Sequence, residues 1–164
     1  MSEPEGNYMR VARVIAGSTA LVTAAVGLGI ATAGPASADI GAWALYGNTN
    51  PITNSPSYWA CASTVQIDTS VGAQVCAVRS ESWGSSQVAV IVRNNRDSVY
   101  HTSAAAHMYN WFDGRYVKSW SCSSTTGVAA NSWSVCFGKT LPGEDYVYAK
   151  GSAGGVDLGK SPAT

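Results

Sequence analysis

Ala104-Ala105-Ala106-His107-Met108-Tyr109-Asn110-Trp111-Phe112-Asp113-Gly114-Arg115-Tyr116-Val117-Lys118-Ser119-Trp120 is the stretch that decides the fold. Asp-Gly between two aromatic-rich runs is the strongest short-range hairpin signal, because both residues tolerate the positive φ that a tight hairpin turn demands. Alanine favours helix, but Val99, Tyr100 and Thr102 before the alanines, and Tyr109 and Trp111 after them, favour strand. The reading is therefore one strand from Ser98 to Phe112 and an antiparallel return from Arg115 to Cys122. With a two-residue turn, Phe112 faces Arg115, and the pairs continue Trp111–Tyr116, Tyr109–Lys118 and His107–Trp120. Period-two alternation then places His107, Tyr109, Trp111, Tyr116, Lys118 and Trp120 on one face. Ala104, Ala106, Met108, Phe112 and Val117 fall on the other. Two consequences stand open. Either the aromatic face is core, or the alanine–methionine face packs inward and the aromatics form an exposed platform suited to sugar rings. On the second reading Tyr109, Trp111, Tyr116, Lys118 and Trp120 are the candidate ligand-binding residues.

Other segments repeat the strand pattern. Trp59, Cys61, Val65 and Ile67 alternate with polar residues, and Val88 to Val92 is a short apolar run of the kind buried on both faces. Further strands cover about Ser132 to Gly138 and Tyr146 to Lys150. The expected class is all-β, an antiparallel β-sandwich. Leu141-Pro142-Gly143-Glu144-Asp145-Tyr146-Val147-Tyr148 resembles the corner of immunoglobulin-like and fibronectin type III-like sandwiches, where a turn leads into a strand opened by a tyrosine. Val90-Ile91-Val92-Arg93-Asn94-Asn95 is similar to the strand and turn of such domains. The resemblance implies a Greek key.

The first 38 residues read as a cleavable secretory leader. Arg10 and Arg13 supply the basic start, Val14 to Ala33 carries no charge, and Ala36-Ser37-Ala38 gives the A-x-A pattern before Asp39. Glu3 and Glu5 offset the arginines, so a start at Met9 competes with Met1. The stretch is near the length of a membrane span, but it is poor in Leu, Ile and Phe and ends in the cleavage pattern, and no anchor is expected after cleavage. This alanine-rich leader is similar to those of secreted actinobacterial proteins. Residues 39–57 are expected to be a loop-like lead-in, with Trp43-Ala44-Leu45-Tyr46 as a candidate edge strand. Residues 58–150 form the sandwich domain, and the Gly- and Ser-rich 151–164 a flexible tail.

Removing 38 of the 164 residues leaves 126, enough for one domain. All four cysteines lie there, and an even number in an exported chain reads as disulfides. Of three pairings, Cys61–Cys76 and Cys122–Cys136 are favoured, since each pair flanks a short segment with turn residues at its middle. The spacing lacks the C-x-x-C of a zinc site.

The chain holds ten basic and ten acidic residues; Glu3, Glu5, Arg10 and Arg13 belong to the leader, so eight of each remain. Zero net charge argues against nucleic acid, whose recognition needs clustered Lys and Arg. No cofactor or metal is implied. His101 and His107 are about 20 Å apart on an extended strand and cannot share a metal there. No G-x-S-x-G elbow occurs, and the adjacent Glu144 and Asp145 point apart rather than forming a glycosidase pair. No catalytic residue is assigned. The expected function is a secreted, non-catalytic binding or cell-surface protein whose extracellular ligand is a glycan or a protein. The alternatives are a small hydrolase using Ser, a His and a carboxylate, and a protease inhibitor presenting Ser123–Asn131.

Overall fold

A computed structural model of the chain describes residues 38–53, 55–123, 127–144 and 146–164. The leader therefore lies outside the described residues, Ala38 excepted. Among them there is no helix and there are twelve strands. In chain order these are β1 (Asp39–Ile40), β2 (Ala42–Gly47), β3 (Tyr58–Cys61), β4 (Val65–Asp68), β5 (Val71–Arg79) and β6 (Ser85–Asn94). They continue with β7 (Ala104–Asn110), β8 (Tyr116–Cys122), β9 (Ser132–Phe137), β10 (Leu141–Pro142), β11 (Val147–Ala153) and β12 (Val156–Lys160).

The strands form two sheets. The smaller has the order β1-β8-β7-β11-β12; the larger runs β2-β9-β6-β5-β3, with β4 also on β5 and β10 on β6. Neighbours are antiparallel except β1, which lies parallel to β8. Val71, Ala73, Val75 and Ala77 of β5 and Val88, Val90 and Val92 of β6 meet Ala104, Ala106 and Met108 of β7 and Val147 and Ala149 of β11 in one core between the sheets. The intervening residues of the larger sheet (Cys76, Val78, Ala89, Ile91 and Val135) are buried too, under Ile52, Trp59, Trp133 and Phe137 on the outer side. That double burial is why β6 reads as a continuous apolar run, as anticipated.

Both disulfides join the expected partners. Cys61–Cys76 ties β3 to β5 within the larger sheet, at directly paired positions. Cys122–Cys136 crosses from β8 to β9 and so staples one sheet to the other. Each closes a loop of 15 or 14 residues, worth about 3 kcal/mol in the chain-entropy view.

Two expectations need correction. Residues 151–164 are not a flexible tail: they finish β11 and make β12, and Thr164 exchanges both backbone hydrogen bonds with Val147. A Gly- and Ser-rich composition suits disorder, but here Gly151 is needed for close approach. A Cβ there would meet Val75 Cγ2 and Ala105 O at 2.8 Å. Within residues 39–57 the candidate edge strand does form. Ala42–Gly47 is an edge strand on β9, and Ile52 covers the outer face of the larger sheet.

The hairpin register also differs from the two-residue turn. Asn110 Oδ1 accepts the N–H groups of Phe112 and Asp113 at 2.9 and 3.4 Å, starting the turn early. Trp111 to Asp113 are spent in that turn. Tyr109 pairs with Tyr116 and Met108 with Lys118, leaving Val117 as a bulge. Beyond the bulge the alternation of β8 is reversed. Tyr116 faces out with Tyr109, whereas Trp120, opposite Ala106, faces the core.

Trp120 is the largest fully buried side chain, and Gly138 makes room for it, since a Cβ there would lie 2.7 Å from the indole ring. Among the described residues its N–H has no hydrogen-bond partner, so replacement by Phe sacrifices volume alone. Chemical denaturation should show Trp120→Ala losing about 3–5 kcal/mol and Trp120→Phe less than half as much. Equal losses in the two would mean that the indole N–H is bonded after all.

Candidate functional site

The outer face of the smaller sheet carries two transverse rows, fixed by register. Across the sheet, Tyr116 pairs with Tyr109 and Tyr109 with Tyr148. One pair further along, Ser119 pairs with His107, His107 with Lys150, and Lys150 with Lys160. The first row is aromatic and the second is basic and polar.

In the aromatic row, Tyr109 and Tyr148 stack with centroids 5.2 Å apart and planes 9° from parallel. Tyr116 meets Tyr109 edge-on at 5.8 Å, and Trp111, from the β7–β8 turn, meets Tyr148 edge-on at 6.0 Å. Such offset and T-shaped contacts match negative ring faces to positive edges. The inner pair is largely covered, while the end members stand free: Trp111 is 46% and Tyr116 43% exposed.

Lys160 Nζ lies 3.8 Å from the Tyr148 centroid and 4.7 Å from that of Trp111, and Lys150 Nζ lies 5.5 Å from Tyr109. These are cation–π distances. At the other end of the rows a polar chain links them. The Tyr116 hydroxyl donates to Ser119 Oγ at 2.8 Å, and Ser119 Oγ lies 2.5 Å from His107 Nδ1.

A second aromatic group caps the adjoining end of the molecule. Arg79, at the end of β5, is 4% exposed. Its guanidinium lies 4.2 Å from the Trp83 ring and 4.7 Å from that of Tyr146. Tyr58 packs on Trp83 and Phe112 on Tyr146, with centroids 5.5 and 5.7 Å apart. Trp83 and Tyr146 have φ of 59° and 44°, a left-handed backbone that costs bulky residues about 1–3 kcal/mol each and persists only where the surroundings impose it. The cap adjoins the rows through Trp111, whose N–H donates to Tyr146 O at 2.9 Å. Phe112 is 75% exposed.

Of the five candidate residues, Tyr109, Trp111 and Tyr116 come together on the outside. Lys118 pairs with Met108 and reaches Asp39 of β1 at 2.8 Å, away from the rows. Trp120 is wholly in the core, so it cannot touch a ligand; the bulge at Val117 is the reason. Tyr148, Lys150 and Lys160 were not anticipated in the site. Tyr148 and Lys150 do alternate with core residues, but their pairing with β7 spans about 40 residues of chain and has no local signal. His107 lies beside a serine, as the hydrolase alternative requires. Yet Ser119 is buried and engaged by Tyr116, and among the described residues no hydrogen bond joins His107 to a carboxylate. The inhibitor segment 123–131 includes residues 124–126, outside the described set; within it Val128 pairs with Tyr100. Among the described residues no three His, Cys, Asp or Glu side chains are grouped as for a metal ion.

Compared with protein-family models, curated proteins and solved structures, the chain matches none.

The cap should respond to loss of its central charge. Arg79→Met, which keeps most of the alkyl stem, is expected to lower unfolding free energy by about 2 kcal/mol and to change the near-ultraviolet signal of Trp83. A variant as stable as the parent would show that the guanidinium does not hold the two strained aromatics.

Proposed function

We propose that the protein is an exported, non-catalytic binding module, built as a fibronectin type III-like Greek key, that holds a glycan on the outer face of its smaller sheet. The observation that carries the binding reading is the exposed aromatic row: Trp111 and Tyr116 flank a stacked Tyr109–Tyr148 pair, with hydroxyl and ammonium groups one strand pair away. Sugars present apolar ring faces and polar rims together, and exposed aromatics with a polar border suit both.

The Greek-key reading rests on strand order. Taking β5, β6 and β9 as A, B and E, and β12, β11, β7 and β8 as G, F, C and C′, reproduces the A-B-E and G-F-C-C′ neighbours of such folds. β2 then occupies the place of D beside β9, and Leu141 to Tyr148 falls at the E–F corner. Export is supported by the two disulfides, which suit an oxidising compartment.

Affinity electrophoresis through gels containing soluble polysaccharides tests the binding reading. Retardation of the parent protein is expected, with Trp111→Ala and Tyr116→Ala each weakening it about tenfold, or about 1.4 kcal/mol, and leaving the melting temperature nearly unchanged. Retardation that neither substitution alters would place the ligand elsewhere, and no retardation in any gel would refute a glycan ligand.

A further inference from the structure

Lys150 and Lys160 are direct cross-strand neighbours on an exposed face, an arrangement that repels in the absence of a counter-charge. Neither forms an ion pair among the described residues. The groups facing them on the neighbouring strands are His107, paired with Lys150, and the rings of Tyr109, Tyr148 and Trp111. The nearest carboxylate by register is Asp157, opposite Ser152, and its Oδ1 accepts the N–H of Gly159 at 2.9 Å. Lys118, the other ammonium on this sheet, is by contrast neutralised by Asp39. So the protein matches a carboxylate to the lysine outside the rows and leaves the two inside them unmatched, although acidic and basic residues are equal in number along the chain.

Resting on the glycan reading above, we propose that the ligand is an acidic polysaccharide, and that Lys150 and Lys160 bind the carboxylates of its sugars while Trp111 and Tyr116 pack on the ring faces. The geometry suits a repeating acid. Adjacent strands are about 4.8 Å apart, so two ammonium groups can serve neighbouring acid groups along one chain, and they lie against the aromatic row, Lys160 Nζ 3.8 Å from the Tyr148 centroid. Bound carboxylates would also remove the repulsion between the lysines, so part of the affinity comes from relieving a strain already present in the free protein. Nucleic acid fits less well, since a phosphate backbone needs clustered Lys and Arg along a whole stripe, and here only two lysines stand together.

The test compares one backbone with and without its charge: polygalacturonate against its fully methyl-esterified form, with alginate and hyaluronate as further acids. Oligothymidylate and phosphatidylglycerol vesicles serve as non-sugar polyanions. Binding of an acidic polymer at least tenfold tighter than the ester, weakening with salt, is expected. Lys150→Gln and Lys160→Gln should each remove most of that preference while keeping a cooperative thermal unfolding transition, which shows that they fold. Equal binding of acid and ester, unchanged in both lysine variants, would overturn the acidic ligand while leaving the aromatic site intact. Binding of none of the sugars would overturn both readings. Equal or tighter binding of oligothymidylate or the vesicles would overturn the acidic polysaccharide in favour of that polyanion.

Discussion

Close approach of the two sheets over small residues is the constraint from which the rest follows. The smaller sheet turns Ala104, Ala106, Ala149, Gly151 and Ala153 inward, against valines of β5 and β6. At Gly151 there is no room even for a methyl group. Interiors packed to this density accept no large ring without backbone movement, so the tyrosines of β7, β8 and β11 stand on the outside. Trp120, opposite Ala106, is the aromatic residue of β8 that does enter, and it does so because Gly138 leaves room for its ring.

The same constraint gives the turn and bulge of the β7–β8 hairpin their importance. A two-residue turn with unbroken alternation would have put Tyr116 and Trp120 on one face. Asn110 diverts the chain early, Val117 is left over, and the two aromatics part company. One becomes the edge of an exposed row and the other the centre of the core. A carboxamide that captures two backbone N–H groups thereby decides which aromatic residues are available to a ligand.

Much of this was legible in the sequence, for reasons that are local. The all-β class, both disulfide pairings, the doubly buried run from Val88 to Val92 and the strand character of the alanine segment all follow from periodicity, turn residues and spacing. What could not be read depends on contacts distant in sequence. The partner of β7 on its far side is β11, and only that pairing brings Tyr148, Lys150 and Lys160 beside Tyr109. The bulge has no composition of its own. The Gly- and Ser-rich end looked unanchored because the signal for β12, Val156 and Leu158, is two residues long, and its stability comes from packing Leu158 into a core built elsewhere. Arg79 and Trp83 belong to the β5–β6 hairpin and Tyr146 to the corner before β11, so their grouping is invisible before the fold is known.

Hydroxyl-radical footprinting with mass spectrometry probes the central claim directly, because it reads the exposure of each aromatic side chain in the folded protein. Trp111, Phe112 and Tyr116 should oxidise readily and Trp120 should be protected until the protein unfolds. Ready oxidation of Trp120 alongside protection of Trp111 and Tyr116 would mean that the sheet is turned the other way, with its aromatic face inward.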